Sequence, residues 1–148
     1  MKKLALVGLK PCPHCRRAVA YVMTEDGEHT LGIALDAIKT REISRRSEER
    51  GQEKFLTDLV VQFLTLSSCI PREVVLDWDE EGFLFARVDL TTDLISCSPQ
   101  EAVALVAAAG MRLYATERVF EHVQLFHPPV KEDETTGLVQ LKPKPTLH

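Results

Sequence analysis

The sequence has little of several features that would place a protein in a class at once. Its 148 residues include only four cysteines, too few for the disulfide framework of a small secreted domain, so reduced thiols are expected. No apolar run approaches the roughly 20 residues that a membrane-spanning helix needs. The Met-Lys-Lys start lacks the apolar segment and cleavage site of a signal peptide. We therefore expect a cytoplasmic protein with no membrane partner.

Neither positive nor negative charge predominates strongly in the sequence, and no internal repeat is present. The net charge of −4 gives no global reason to bind nucleic acid, so any such binding has to be local. Apolar residues, in contrast, make up 45% of the chain, enough for one domain to bury a core without disulfides. We expect this domain to span residues 1–127. Prolines and mixed charges predict an extended or flexible tail over residues 128–148.

Short β-prone runs separated by turn residues predict most of the strands. Three runs at the start of the chain predict an antiparallel meander over residues 3–9, 18–23 and 29–34. The turn sequence Asp-Glu-Glu-Gly at residues 79–82 lies between two further runs, which predict a hairpin over residues 73–78 and 83–90. A short strand is expected at residues 111–115.

Helical patterns occupy the remaining segments. Residues 36–51 are rich in both signs of charge and predict a solvated helix, and residues 55–67 predict an amphipathic one. Ser98, Pro99 and Glu101 predict the start of a nearly all-apolar, buried helix that ends at Gly110. Thr116 opens a further helical turn through residue 122. The fold class is therefore α+β: a single compact domain with a mostly antiparallel sheet and about three helices.

The sequence Cys12-Pro13-His14-Cys15 falls in the connection of the first predicted hairpin. Two cysteines at this spacing form half of a zinc knuckle, because thiolates suit the tetrahedral Zn²⁺ ion. The chain has no second Cys-x-x-Cys, so a zinc site would need further ligands from elsewhere or from a second subunit. A redox-active pair and an inert reduced pair are the alternatives.

Basic residues cluster on the first predicted helix. Arg41, Arg45 and Arg46 could form a patch that contacts phosphate groups of a nucleic acid. The interleaved acids Glu42, Glu48 and Glu49 favour an ordinary solvated face instead.

Three sequence segments resemble segments of the bifunctional nuclease domain family and occur in the same order along the chain. Residues 56–60 are similar to the Leu-Thr-His-Asp-Leu segment of that family, and residues 74–90 to its strand pair. Residues 98–103, followed by 110–115, are similar to its Arg-Pro-Ser-Asp-Ala-Ile helix and the next strand. The likeness covers roughly residues 3–125 in collinear order.

The resemblance implies an α+β fold, homo-oligomers, and Mg²⁺- or Mn²⁺-dependent cleavage of RNA and DNA by some members. It places the candidate catalytic carboxylates at Asp58 and Glu101. This chain departs from the family at three points: Ser98 replaces the arginine, Lys39 stands where a glutamate is expected, and the histidine beside Asp58 is absent. Two hypotheses follow: a metal-dependent nuclease, or a catalytically silent, oligomeric binding module in which Glu101 only caps its helix and Asp58 faces solvent.

Overall fold

A computed structural model describes residues 1–47, 54–69, 71–91, 93–126 and 139–140 of the chain. The strands within these ranges are β1 (Lys2–Pro11), β2 (Ala18–Thr24), β3 (Thr30–Leu35), β4 (Glu73–Trp78), β5 (Leu84–Asp89), β6 (Leu94–Cys97), β7 (Arg112–Ala115) and β8 (Val139–Gln140). The helices are α1 (Ala37–Ser47), α2 (Leu56–Leu66), α3 (Pro99–Ala109) and α4 (Glu117–Phe126). The α+β class is confirmed, with four described helices instead of about three.

One sheet joins the predicted meander and the predicted hairpin. Its strand order is β3-β2-β1-β7-β4-β5-β6, and β8 pairs with β1 beyond this path. All neighbours are antiparallel except β4 and β7, which run parallel. Strand β7 therefore connects the two halves of the sheet, since β1 pairs with one of its edges and β4 with the other.

Helix α3 covers the sheet and carries the centre of the core. Ala102, Val103 and Ala104 are fully buried, and α3 lies against α1, α2 and strands β3 to β5. The prediction that α3 is buried on nearly all sides is therefore correct only in part, because Leu105 and Val106 are half-buried. Gly110 ends the helix in a left-handed conformation with φ of 64°, as its position predicted.

The expectation of a solvated first helix is wrong for one side of α1. The exposed fraction is 8% for Lys39, 2% for Glu42 and 1% for Ile43. This side is buried because α1 packs against α3, and opposite charges on it compensate one another. A buried charge is tolerated when it is paired and hydrogen-bonded.

Two smaller features differ from the sequence-based expectations. Strand β6 pairs with β5 but was not predicted, and α4 continues to Phe126 instead of ending near residue 122. The predicted tail over residues 128–148 lies outside the described residues except for Val139–Gln140, which pair with Leu9 and Gly8 of β1. Among the described helices, none is both long and apolar enough to cross a membrane.

Candidate functional site

The N-termini of α1 and α3 are fastened together by two side chains. Asp36 accepts a hydrogen bond from the backbone N–H of Lys39 at 2.8 Å, which caps α1. The amide of Gln100 in α3 accepts from the backbone N–H of Asp36 and donates to its carboxylate, both at 2.9 Å. The bond from Lys39, followed by that from Gln100, lowers the pKa of Asp36. The starts of the two helices are thereby held side by side.

The ammonium group of Lys39 lies between oxygen atoms from all three neighbouring helices. Its Nζ is 3.0 Å from Oε2 of Glu42 in α1 and 2.8 Å from Oε2 of Glu101 in α3. It also donates to Oγ1 of Thr57 in α2, at 3.4 Å. Burial acts to lower the pKa of Lys39, but the hydrogen bonds to Glu101 and Glu42 outweigh it and raise the pKa. Lys39 is therefore charged at neutral pH.

A second cationic side chain, Arg46, links Glu42 of α1 to Asp58 of α2. Arg46 lies with Nη2 3.5 Å from Oε1 of Glu42 and with Nη1 2.8 Å from Oδ1 of Asp58. The other oxygen of Asp58 accepts from the backbone N–H of Phe55 at 2.9 Å, so Asp58 also caps α2. Burial tends to raise the pKa of Asp58, yet the bonds from Arg46 and Phe55 and the charge of Arg46 give a net lowering.

These contacts form what we call the three-helix ion cluster: Lys39, Glu42, Arg46, Asp58 and Glu101. The structure thus brings both candidate catalytic acids, Asp58 and Glu101, into one group. Neither has the environment expected of it from capping or solvent exposure alone. Ser98 makes no side-chain capping bond, and Glu101 reaches Lys39 instead of completing a capping box.

The three arginines suggested as phosphate contacts have different surroundings. Arg41 and Arg45 are exposed on α1, whereas the side chain of Arg46 is only 12% exposed and contacts two acids. Its guanidinium is engaged within the protein. A phosphate-binding role for Arg41, Arg45 and Arg46 stays a prediction.

The oxygen atoms of the cluster do not fit a divalent ion as they stand. Mg²⁺ needs oxygen ligands at about 2.1 Å in an octahedral shell. The point where oxygens of Glu42, Glu101 and Thr57 converge holds the ammonium of Lys39. Within the part of the chain that the structure describes, no group of three or more His, Cys, Asp or Glu residues could hold a metal ion.

The two cysteines of the Cys-x-x-Cys sequence lie in the β1–β2 connection, as predicted. The backbone N–H of Cys12 donates to the carbonyl of Arg17 at 2.8 Å and closes the loop. Both thiols are free, and Cys15 is exposed. A hydrogen bond between the Cys12 and Cys15 side chains is the main cause of the lowered pKa of Cys12. A zinc site built on Cys12 and Cys15 stays a prediction.

Helix α2 presents an apolar surface on the side away from the ion cluster. It packs on α3, and Thr57, Val61 and Leu64 on one side of α2 are buried or half-buried. Its larger apolar side chains point outward, with exposed fractions of 73% for Leu56, 46% for Leu59, 41% for Val60, 68% for Phe63 and 78% for Leu66. A helix that is apolar on nearly all sides is typical of a buried element.

A separate open cleft of about 430 Å³ lies at the β4–β5 turn and α4. The rings of Trp78 and His122 stack in it with their centroids 4.8 Å apart, and Arg118 lines it as well. This contact could not be predicted from local sequence patterns, because residues 78 and 122 are distant along the chain.

No family model matches this chain, and no curated protein matches it. The resemblance to the bifunctional nuclease family therefore depends on the three sequence segments quoted above. The residues that sequence reasoning did not identify as part of the site are Glu42 and Thr57. Glu42 could have been identified from its spacing to Lys39, because this spacing places the two side chains on the same side of a helix.

Proposed function

We propose that this chain is a catalytically silent binding module that self-associates through the outer surface of α2. The observation that carries the proposal is the exposure of Leu56, Leu59, Val60, Phe63 and Leu66 on one helix. Their exposed area is roughly 500 Å², near the upper end of the range for the largest apolar patch on a monomeric protein. Contiguous patches of this size mark interaction sites.

A second copy of the chain is the occupant that this surface fits best. Asp58 is the one charged residue of α2, and it is paired inside the ion cluster. Two copies of the outer surface can therefore meet around a two-fold axis without bringing like charges together. The two patches would bury about 1,000 Å² in total, the size from which specific interfaces begin.

The ion cluster supports the silent character of the module. A carboxylate that holds a metal ion or accepts a proton needs a free oxygen at the reacting centre. Glu101 is paired with Lys39, and Asp58 is shared between Arg46 and the N-terminus of α2. These contacts are those of residues that fasten helices to one another.

The test is the oligomeric state of two matched variants. Phe63 and Phe83 are 68% and 65% exposed, but Phe63 lies on α2 and Phe83 lies in the β4–β5 turn. We expect sedimentation velocity to show a self-associating wild type, a monomeric Phe63→Lys variant and a Phe83→Lys variant that behaves like wild type. A monomeric wild type, or equal effects of the two substitutions, would contradict the proposal.

The second candidate is the metal-dependent nuclease that the resemblance implies. The observation that favours it is the presence of Asp58 and Glu101 in one cluster with Arg46. The test is cleavage of labelled single-stranded RNA and DNA by highly purified protein with Mg²⁺, Mn²⁺ or EDTA. Metal-dependent cleavage that the Asp58→Ala/Glu101→Ala variant lacks, while still folded, would establish the nuclease. Cleavage that is absent, or equal in the variant, would support the silent module.

A further inference from the structure

We propose that Cys12 and Cys15 form a dithiol site that is oxidised to an intramolecular disulfide by exchange with small, anionic disulfides. The site lies in the connection between β1 and β2. It belongs neither to α2 nor to the three-helix ion cluster, so the inference does not depend on the self-association proposed above.

The β1–β2 connection holds the two thiols close together and open to solvent. Pro11 of β1 pairs with Ala18 of β2, and the backbone N–H of Cys12 donates to the carbonyl of Arg17 at 2.8 Å. Within the loop that these contacts close, a hydrogen bond joins the side chains of Cys12 and Cys15. Cys15 is exposed and Cys12 is half-buried. A small disulfide in solution can therefore reach the pair.

The hydrogen bond between the thiols gives them different roles. Cys15 donates to the sulfur of Cys12, and this bond is the largest of the contributions that lower the pKa of Cys12. The thiolate is the nucleophile in thiol–disulfide exchange. Cys12 is therefore the attacking residue, and Cys15 is the residue that resolves the mixed disulfide.

The exchange balances without a further oxidant. The Cys12 thiolate attacks one sulfur of the small disulfide, whose S–S bond breaks, and the first small thiolate leaves and takes up a proton from water. Cys15 then loses its proton to water, and its thiolate attacks Sγ of Cys12 and displaces the second small thiolate, which takes up a proton in turn. Two protein thiols are oxidised, and one small disulfide is reduced to two thiols.

Positive charge around the loop favours an anionic disulfide. Arg16 and Arg17 are exposed directly after Cys15, and the charge of Arg17 contributes to the lowered pKa of Cys12. The first acidic residue of the chain is Glu25, so the segment from β1 to β2 carries no negative side chain of its own. Opposite charges raise the rate of encounter, an effect that salt weakens. Oxidised glutathione, which has a net negative charge at neutral pH, fits these surroundings.

The experiment treats the reduced full chain with oxidised glutathione at neutral pH and maps the products by peptide mass spectrometry. We expect wild type to form a disulfide between Cys12 and Cys15 without accumulating a glutathione adduct. Cys15→Ser should stop at a glutathione adduct of Cys12, because the serine hydroxyl keeps a hydrogen-bond donor but no resolving thiol is left. The matched variant Cys12→Ser should react at Cys15 at least about fivefold more slowly, since the more reactive thiolate is absent.

A second comparison tests the charge of the small disulfide. At low salt, Arg17→Gln should slow the reaction with oxidised glutathione about two- to threefold more than the reaction with neutral hydroxyethyl disulfide. Equal slowing of the two reactions would overturn the preference for anionic disulfides. Stable glutathione adducts on wild type, a disulfide to Cys69 or Cys97 instead, or equal rates for Cys12→Ser and Cys15→Ser would overturn the dithiol site.

Discussion

Replacing Asp58 by alanine should destabilise the protein measurably, because the side chain makes two separate contacts. One oxygen accepts from the backbone N–H of Phe55 at 2.9 Å, and the other lies 2.8 Å from Nη1 of Arg46. Loss of a helix cap costs about 1 kcal/mol. Loss of a hydrogen bond to a charged group that is mostly shielded from water costs about 1–2 kcal/mol more. The expected loss of unfolding free energy is about 2–3 kcal/mol, or roughly 5–10 °C in Tm for a chain of this size.

The assay is urea and thermal unfolding followed by far-ultraviolet circular dichroism. Asp58→Asn keeps an oxygen that can accept from Phe55 but loses the charge beside Arg46, so about half of the effect is expected. Glu121→Ala removes an exposed acid of α4 and should change the free energy of unfolding by less than about 0.5 kcal/mol. If Asp58→Ala unfolds at the wild-type temperature, the structural role assigned to Asp58 is wrong.

The difference in unfolding free energy between wild type and Asp58→Ala should depend on pH. The folded protein lowers the pKa of Asp58 below its ordinary value of 3.8, since the bonds from Arg46 and Phe55 outweigh the effect of burial. A lowered carboxyl pKa stabilises the folded state above the ordinary pKa, and this contribution is lost as the pH falls through the folded pKa. The difference between wild type and Asp58→Ala should therefore be constant near neutral pH and shrink below about pH 4.

Two further predictions concern the thiols and a helix end. Burial, followed by the charge of Glu101, raises the pKa of Cys97, whereas the hydrogen bond to the Cys15 side chain lowers the pKa of Cys12. Iodoacetamide at neutral pH should therefore label Cys12 faster than Cys97. Equal labelling rates of these two thiols in peptide mass spectrometry would contradict this. Gly110→Ala should cost about 1 kcal/mol of unfolding free energy, because φ is 64° although no atom lies within 4 Å of the added Cβ; an unchanged urea midpoint would show that α3 ends in another way.

Local patterns predicted the elements far better than their arrangement. The alternation of β2, where Ala18, Ala20, Val22 and Thr24 are buried, and the Ser98-Pro99 start of α3 are properties of neighbouring residues. The position of β7 between β1 and β4 depends on contacts between segments that are distant in sequence. Strand β6 escaped prediction because its residues are mostly exposed and have no buried alternation.

The members of the candidate site were predictable only in part, because Glu42 and Thr57 were not identified from the sequence. The family likeness pointed to Asp58 and Glu101, but their shared partners lie on a helix whose mixed charges are typical of a solvated face. The partner of Lys39 across the helices could not be deduced from spacing, since positions 39 and 101 meet only through the packing of α1 on α3.

The place of β7 in the sheet also sets an order of events during synthesis. The residues of the β1–β3 meander and of the β4–β5 hairpin are all translated before residue 112 leaves the ribosome. They share no edge until β7 pairs with β1 on one side and β4 on the other. A nascent chain that has not reached Ala115 therefore carries two half-sheets with open inner edges, which are sites for mispairing with other chains. The interval between translating the hairpin and translating β7 is when a chaperone would protect this protein most.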